Sequence, residues 1–176
     1  VEPQSETNWR YADEYNVPRL CFINKLDRLG ASFERSYQSI LERLSPHAVK
    51  FHIPDGHEDQ FNGIIDLLTM QYVTFEGEKG ERVIKGDIPA RLKEAAKREH
   101  AALIEKIVEH DDRAMHDYLE GKELSLERLR QITRKATLAG TIYPVFCGSA
   151  LKNKGVQLVL DAVAYYLPSP LDIPPT

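Results

Sequence analysis

Two short apolar runs constrain this chain more than anything else in it. Arg19-Leu20-Cys21-Phe22-Ile23 and Thr141-Ile142-Tyr143-Pro144-Val145-Phe146-Cys147 each break off into a polar loop, and a helical pattern follows each loop. Such unbroken apolar runs suit strands buried on both faces, as in a parallel sheet. Asn24 and Ser149, one from each loop, stand 125 positions apart. A crossover between parallel strands takes only about 30 residues, so roughly 95 are surplus. The expected fold is therefore α/β, with parallel strands flanked by helices and interrupted by an inserted α+β subdomain. The expected boundaries are a core part at 1–46, the insertion at 47–139, a second core part at 140–170 and a linker at 171–176.

The middle of the chain differs in style from its ends. Residues 55–87 carry 3 basic against 8 acidic groups, and the formal net charge of −4 arises there, offset by one positive charge in 88–139. Strands are expected at 49–54, 61–67 and 70–76, broken by the turn signals Asp55-Gly56, Asn62-Gly63 and Gly77-Glu78-Lys79-Gly80. A long amphipathic helix is expected from Ile88 to Asp111, with Leu92, Ala96, Leu103 and Ile107 on one side. Shorter helices should follow at 113–120 and 125–138, with Gly121 and Gly140 as stops. In the first core part, Ser5 is the expected cap of an opening helix and Ser32 of the next. Pro144 lacks a ladder donor, so its stretch is expected near a sheet edge or ahead of the strand.

Several functions are disfavoured. The mild acidity argues against a bare nucleic-acid module. No apolar run approaches the ~20 residues of a membrane helix, and no basic-then-apolar leader opens the chain. The chain begins on Val1 rather than Met, and the expectation is a piece of a longer protein. Two cysteines, each in an apolar run, read as buried reduced thiols. The sequence has neither G-x-x-x-x-G-K-[ST] nor H-E-x-x-H, so no phosphate cradle and no metal site are expected. Asp27-Arg28-Leu29-Gly30 matches a D-x-x-G pattern by letter only. His100 reads as a packed, hydrogen-bonded histidine, and His110-Asp111-Asp112 as a helix end.

The two loops carry the chemistry. Ligands of open α/β sheets bind at the carboxyl ends of strands. Asn24-Lys25-x-Asp27 stands there, and the Asp27 carboxylate can accept two hydrogen bonds from the N1–H and 2-amino group of guanine. Adenine has no matching donor pair and would leave that carboxylate unpaired. Asn24 can offer its amide to the N7/O6 edge, and Lys25 can lay its stem along one base face. In the second loop, Gly148-Ser149-Ala150, the Ala150 N–H suits guanine O6 and the Ser149 hydroxyl can hold Asp27 in plane. Leu151 can cover the face opposite Lys25.

Taken with the rest of the sequence, these loops resemble the elongation factor G family of translational GTPases. The resemblance opens at Val1-Glu2-Pro3-Gln4-Ser5-Glu6-Thr7 and runs through Phe22-Ile23-Asn24-Lys25-Leu26-Asp27-Arg28-Leu29-Gly30-Ala31. It continues through Phe61-Asn62-Gly63-Ile64-Ile65-Asp66-Leu67 and Cys147-Gly148-Ser149-Ala150-Leu151-Lys152-Asn153-Lys154-Gly155, and ends at Tyr166-Leu167-Pro168-Ser169-Pro170. It implies the second half of a P-loop-type GTPase domain that binds GTP or GDP, with Asn24, Lys25, Leu26, Asp27, Ser149, Ala150 and Leu151 around guanine. Leu26 stands where relatives often have Met. The resemblance further implies a cytoplasmic protein acting on the ribosome, whose insertion meets the ribosomal stalk protein, with the 88–111 helix as candidate surface. The family's phosphate loop, switch segments, Mg²⁺ contacts and catalytic histidine would all precede Val1. The chain alone is therefore expected not to hydrolyse GTP, and to bind GDP weakly if at all. Alternatives are a non-enzymatic docking module, a sibling release or tetracycline-protection factor, and an unrelated α/β nucleotide enzyme.

Overall fold

The computed structural model describes residues 1–24, 26, 32–149 and 152–169. The chain opens on helix α1 (Pro3–Glu14), with Pro3 in its first turn and Glu2 ahead of it. Proline at this position is pre-set for the helix and lacks only an N–H that would be orphaned anyway. The helix therefore starts earlier than a Ser5 cap would allow. Strand β1 (Cys21–Ile23) follows, then α2 (Phe33–Arg43), where the Ser32 hydroxyl accepts the Arg35 N–H as expected.

Strand β2 (Ala48–Lys50) and strand β7 (Tyr143–Cys147) complete a three-stranded parallel sheet in the order β1-β7-β2. Pro144 thus lies within the central strand, against the expectation of an edge. The register accounts for it. Tyr143 donates to His47, and Val145 accepts from Phe51, both on the β2 side. Alternation turns the Pro144 nitrogen toward β1, which begins only at Cys21, opposite Val145. The missing donor falls where no ladder yet runs.

The run expected as one strand at 49–54 divides between two sheets. After β2, strand β3 (His52–Asp55) opens an antiparallel sheet with β4 (Gly63–Asp66), β5 (Gln71–Glu76) and β6 (Arg82–Gly86), in the order β3-β4-β5-β6. Phe51 is the joint. Its N–H donates to Val145 of the parallel sheet, and its C=O accepts the Leu67 N–H just beyond β4. Strand β6 lies outside the expected strands, which end at the turn through Gly80, yet Arg82-Val83-Ile84-Lys85 pairs along β5.

A 3₁₀ turn (Ala90–Leu92) leads into α3 (Lys93–Val108), followed by α4 (Asp112–Leu119) and α5 (Leu126–Leu138). Asp111 caps α4 through the Ala114 N–H at 2.9 Å, so the 110–112 stretch is a helix end. Ser125 caps α5, and Gly121 and Gly140 take positive φ at the stops. Helix α6 (Val156–Tyr166) closes the described fold.

Alternating side chains of the strands feed two cores. Cys21, Ile23, Ile64, Val73 and Val145 face one, with Leu26, Phe33 and Phe61. Phe51, Ile65, Leu67 and Phe146 face the other, against Leu103, Ile107, Ile132 and Ala162 of the helices. Each core takes residues from both sheets, so the antiparallel layer packs against the strands that carry the loops.

Candidate functional site

Strands β1 and β7 are parallel neighbours, with Ile23 opposite Cys147, so their following loops emerge side by side. Two hydrogen bonds lace them, and a third ties the first loop to Glu58. The Gly148 N–H donates to Ile23 C=O at 3.0 Å, and the Gly148 C=O accepts the Leu26 N–H at 3.3 Å; the Leu26 C=O in turn accepts the Glu58 N–H at 2.8 Å. Gly148 is required by contact, since a Cβ there would stand 2.2 Å from the Lys154 carbonyl oxygen. That closeness comes from a tight return in the second loop, where Ser149 and Lys154 exchange two main-chain bonds of 2.8 Å.

Of the residues read as base-contacting, Asn24, Leu26 and Ser149 are described. Asn24 is exposed at the end of β1. A cleft of about 690 Å³ between α1, β1 and α2 reaches it. The Leu26 side chain is 1% exposed, packed with Phe33, Phe61 and Val73, and meets the second loop through its main chain. Ser149 is 0% exposed, and its Oγ has no hydrogen-bond partner among the described residues. A buried hydroxyl without a partner is costly, and such a group in a native fold calls for a functional role, an ordered water or an ion to account for it. Lys25, Asp27, Ala150 and Leu151 lie outside the described residues.

The thiols are inert by environment. Burial pushes the Cys21 thiol up to about 12 despite nearby Arg19, and raises that of Cys147 as well. His100 packs on α3 with Nδ1 against the Leu67 carbonyl. Sequence reasoning missed the most polar buried group of the insertion, Asp55. It receives two bonds from Arg91, at 2.9 and 2.6 Å, and one from Tyr72. The bonds from Arg91 hold the Asp55 carboxyl below the usual carboxylate range. The only local signal was the Asp55-Gly56 turn, because its partner lies 36 positions away.

The exposed face of α3 carries Lys93, Glu94, Lys97, Arg98, Glu105 and Lys106. Among the described residues no helix is long and apolar enough to cross a membrane.

Comparison with known proteins agrees with this architecture. Elongation factor G of Mycoplasma pneumoniae is 49% identical over 174 residues, covering 99% of this chain and 25% of that protein. A crystal structure from Thermus thermophilus matches with a TM-score of 0.85 at 26% identity, covering 98% of this chain and 25% of that one. The chain thus spans about a quarter of the length of these relatives. The family model for the elongation factor Tu GTP binding domain matches residues 1–169. With parallel strands that deliver two laced loops to one end of the sheet, the chain belongs to the elongation factor Tu GTP-binding domain family.

Proposed function

We propose that this chain supplies the guanine-reading part of a translational GTPase of the elongation factor G type. Asn24, Lys25 and Asp27 read the base, and Ser149, Ala150 and Leu151 close the pocket; Leu26 serves through its main chain. The observation that carries the reading is Ser149 Oγ, buried beside the first loop and without a partner among the described residues. A hydroxyl held there suits a carboxylate that must stay in plane to accept two donors from guanine.

In this reading residues 47–139 form the inserted subdomain between core parts 1–46 and 140–170, with 171–176 as linker. The protein works in the cytoplasm on the ribosome, and α3 is the face offered to the ribosomal stalk protein. GTP or GDP is the ligand. Mg²⁺ neutralises phosphate charge in such GTPases, but no residue of this chain is assigned to hold it. The chain alone binds guanine nucleotide weakly and does not turn it over.

A two-dimensional amide NMR titration with GDP, using ADP as control, tests the reading. GDP alone should shift Asn24, Asp27 and Ala150. In Asp27→Asn the base-facing acceptor pair becomes a mixed acceptor and donor, so the preference for GDP should be lost. Equal shifts with GDP and ADP, or none with either, would sink the proposal for this chain.

A further inference from the structure

Leu26 sends its two main-chain groups in different directions. Its N–H goes to Gly148 on the second loop, and its C=O accepts the Glu58 N–H from the insertion. Glu58 opens the 3₁₀ turn Glu58–Gln60 and holds φ at +57°. A glutamate adopts that backbone only where its surroundings impose it. Gly56 makes the turn close, since a Cβ there would stand 2.0 Å from the Gln60 carbonyl oxygen.

Two further points of the insertion bear on the second loop. Phe61, buried in the same core as Leu26, offers its C=O to the Lys154 ammonium at 3.4 Å, and that ammonium lies 5.5 Å from the Phe61 ring centre. The tip of the β5–β6 hairpin also touches this loop. A Cβ on Gly80 would come within 3.0 Å of the Lys152 carbonyl oxygen.

We propose that the inserted subdomain is a clamp that positions both base-reading loops, with Glu58 and Phe61 as its positioning residues and Lys154 as the point on the second loop that it grips. The proposal rests on the reading of these loops as guanine readers. Hydrogen-bond discrimination needs its groups held within about 0.5 Å, and loops ordered before binding do not charge that ordering to the ligand. By linkage, a partner that shifts the subdomain alters nucleotide affinity, and the nucleotide alters partner affinity by the same factor.

Amide hydrogen exchange and nucleotide titration of the 176-residue chain test this, with Gly56→Val to break the turn and Lys154→Met to remove the ammonium while keeping the stem. Exchange at the Leu26 and Ser149 amides should speed up about tenfold in Gly56→Val and about threefold in Lys154→Met, with α5 amides unchanged. The affinity for GDP should fall by about the same factors while that for ADP stays constant. Wild-type exchange at both amides in both variants would overturn the clamp, whatever the nucleotides do. If Gly56→Val loses protection throughout the fold, Lys154→Met decides alone. A wild-type chain that does not prefer GDP removes the base-reading assignment and the clamp's role in specificity. The exchange rates then still decide whether the insertion holds the loops, so the two failures are told apart.

Discussion

Asp55 and Arg91 meet through two parallel bonds across the insertion, the Asp55 side chain 5% exposed and the Arg91 side chain 60% exposed. Tyr72 donates to the same carboxylate, and burial together with this bond raises the phenol to about 12. The arrangement ties β3, β5 and the 3₁₀ turn ahead of α3 into one unit. Because the Asp55 carboxyl is held below its ordinary value, its contribution to stability is complete above about pH 4 and is lost as pH falls through the folded value. Asp55→Asn should cost about 1–3 kcal/mol at pH 7 and flatten the acid side of the stability profile. Urea unfolding of both proteins between pH 7 and pH 2.5 checks this. Parallel acid limbs would show that the pair does not control acid sensitivity.

His52 gives a second pH dependence, in a different window. It is buried against the edge of Phe146, with Asp66 opposite on β4, and its Nδ1 has no partner among the described residues. A small cavity of about 60 Å³ beside it is also lined by Lys85 of β6, Arg130 of α5, and Asp161, Tyr165 and Tyr166 of α6. Burial holds the imidazole below its usual value, opposed by the Asp66 charge. The unfolded chain binds the proton better, so stability is complete above about pH 6.5 and falls below it, by about 1.4 kcal/mol per unit of separation. His52→Leu should remove this fall while keeping stability near pH 7.5. Urea midpoints at pH 7.5 and 5 decide. An unchanged difference between the two would mean that another group, such as His110, governs the window.

Gly148→Ala should damage the loop pair directly. The new Cβ meets main chain rather than a flexible side-chain end, so the Ser149–Lys154 return must open or shift. The expected cost is about 1–3 kcal/mol, with accelerated exchange at the Lys154 amide. A cost of about 1 kcal/mol lowers Tm by about 2–4 °C in a chain of this length, so a Tm equal to wild type would mean the loop yields freely.

What the sequence made legible depended on distance along the chain. The cap at Ser32 was legible because it is local, a short side chain reaching an N–H three positions ahead. The two loops were legible for a similar reason: each follows its strand directly. Pro144 misled because its cost depends on where β1 begins, which no residue near Pro144 reveals. The change of sheets at Phe51 was hidden because Ala48 to Asp55 contains no turn residue until its end. The Asp55–Arg91 pair and the insertion's bonds to the loops join residues remote in sequence, and neither segment carries a mark of the other.

Phe51 also limits how the protein can move. One residue carries a ladder bond of each sheet on its two main-chain groups, so no linker lies between the sheets at that crossing. A joint without slack transmits torque. A pull on the insertion would be felt at Val145 before any segment could uncoil to absorb it, and the two layers should give way in a single rupture event rather than in sequence.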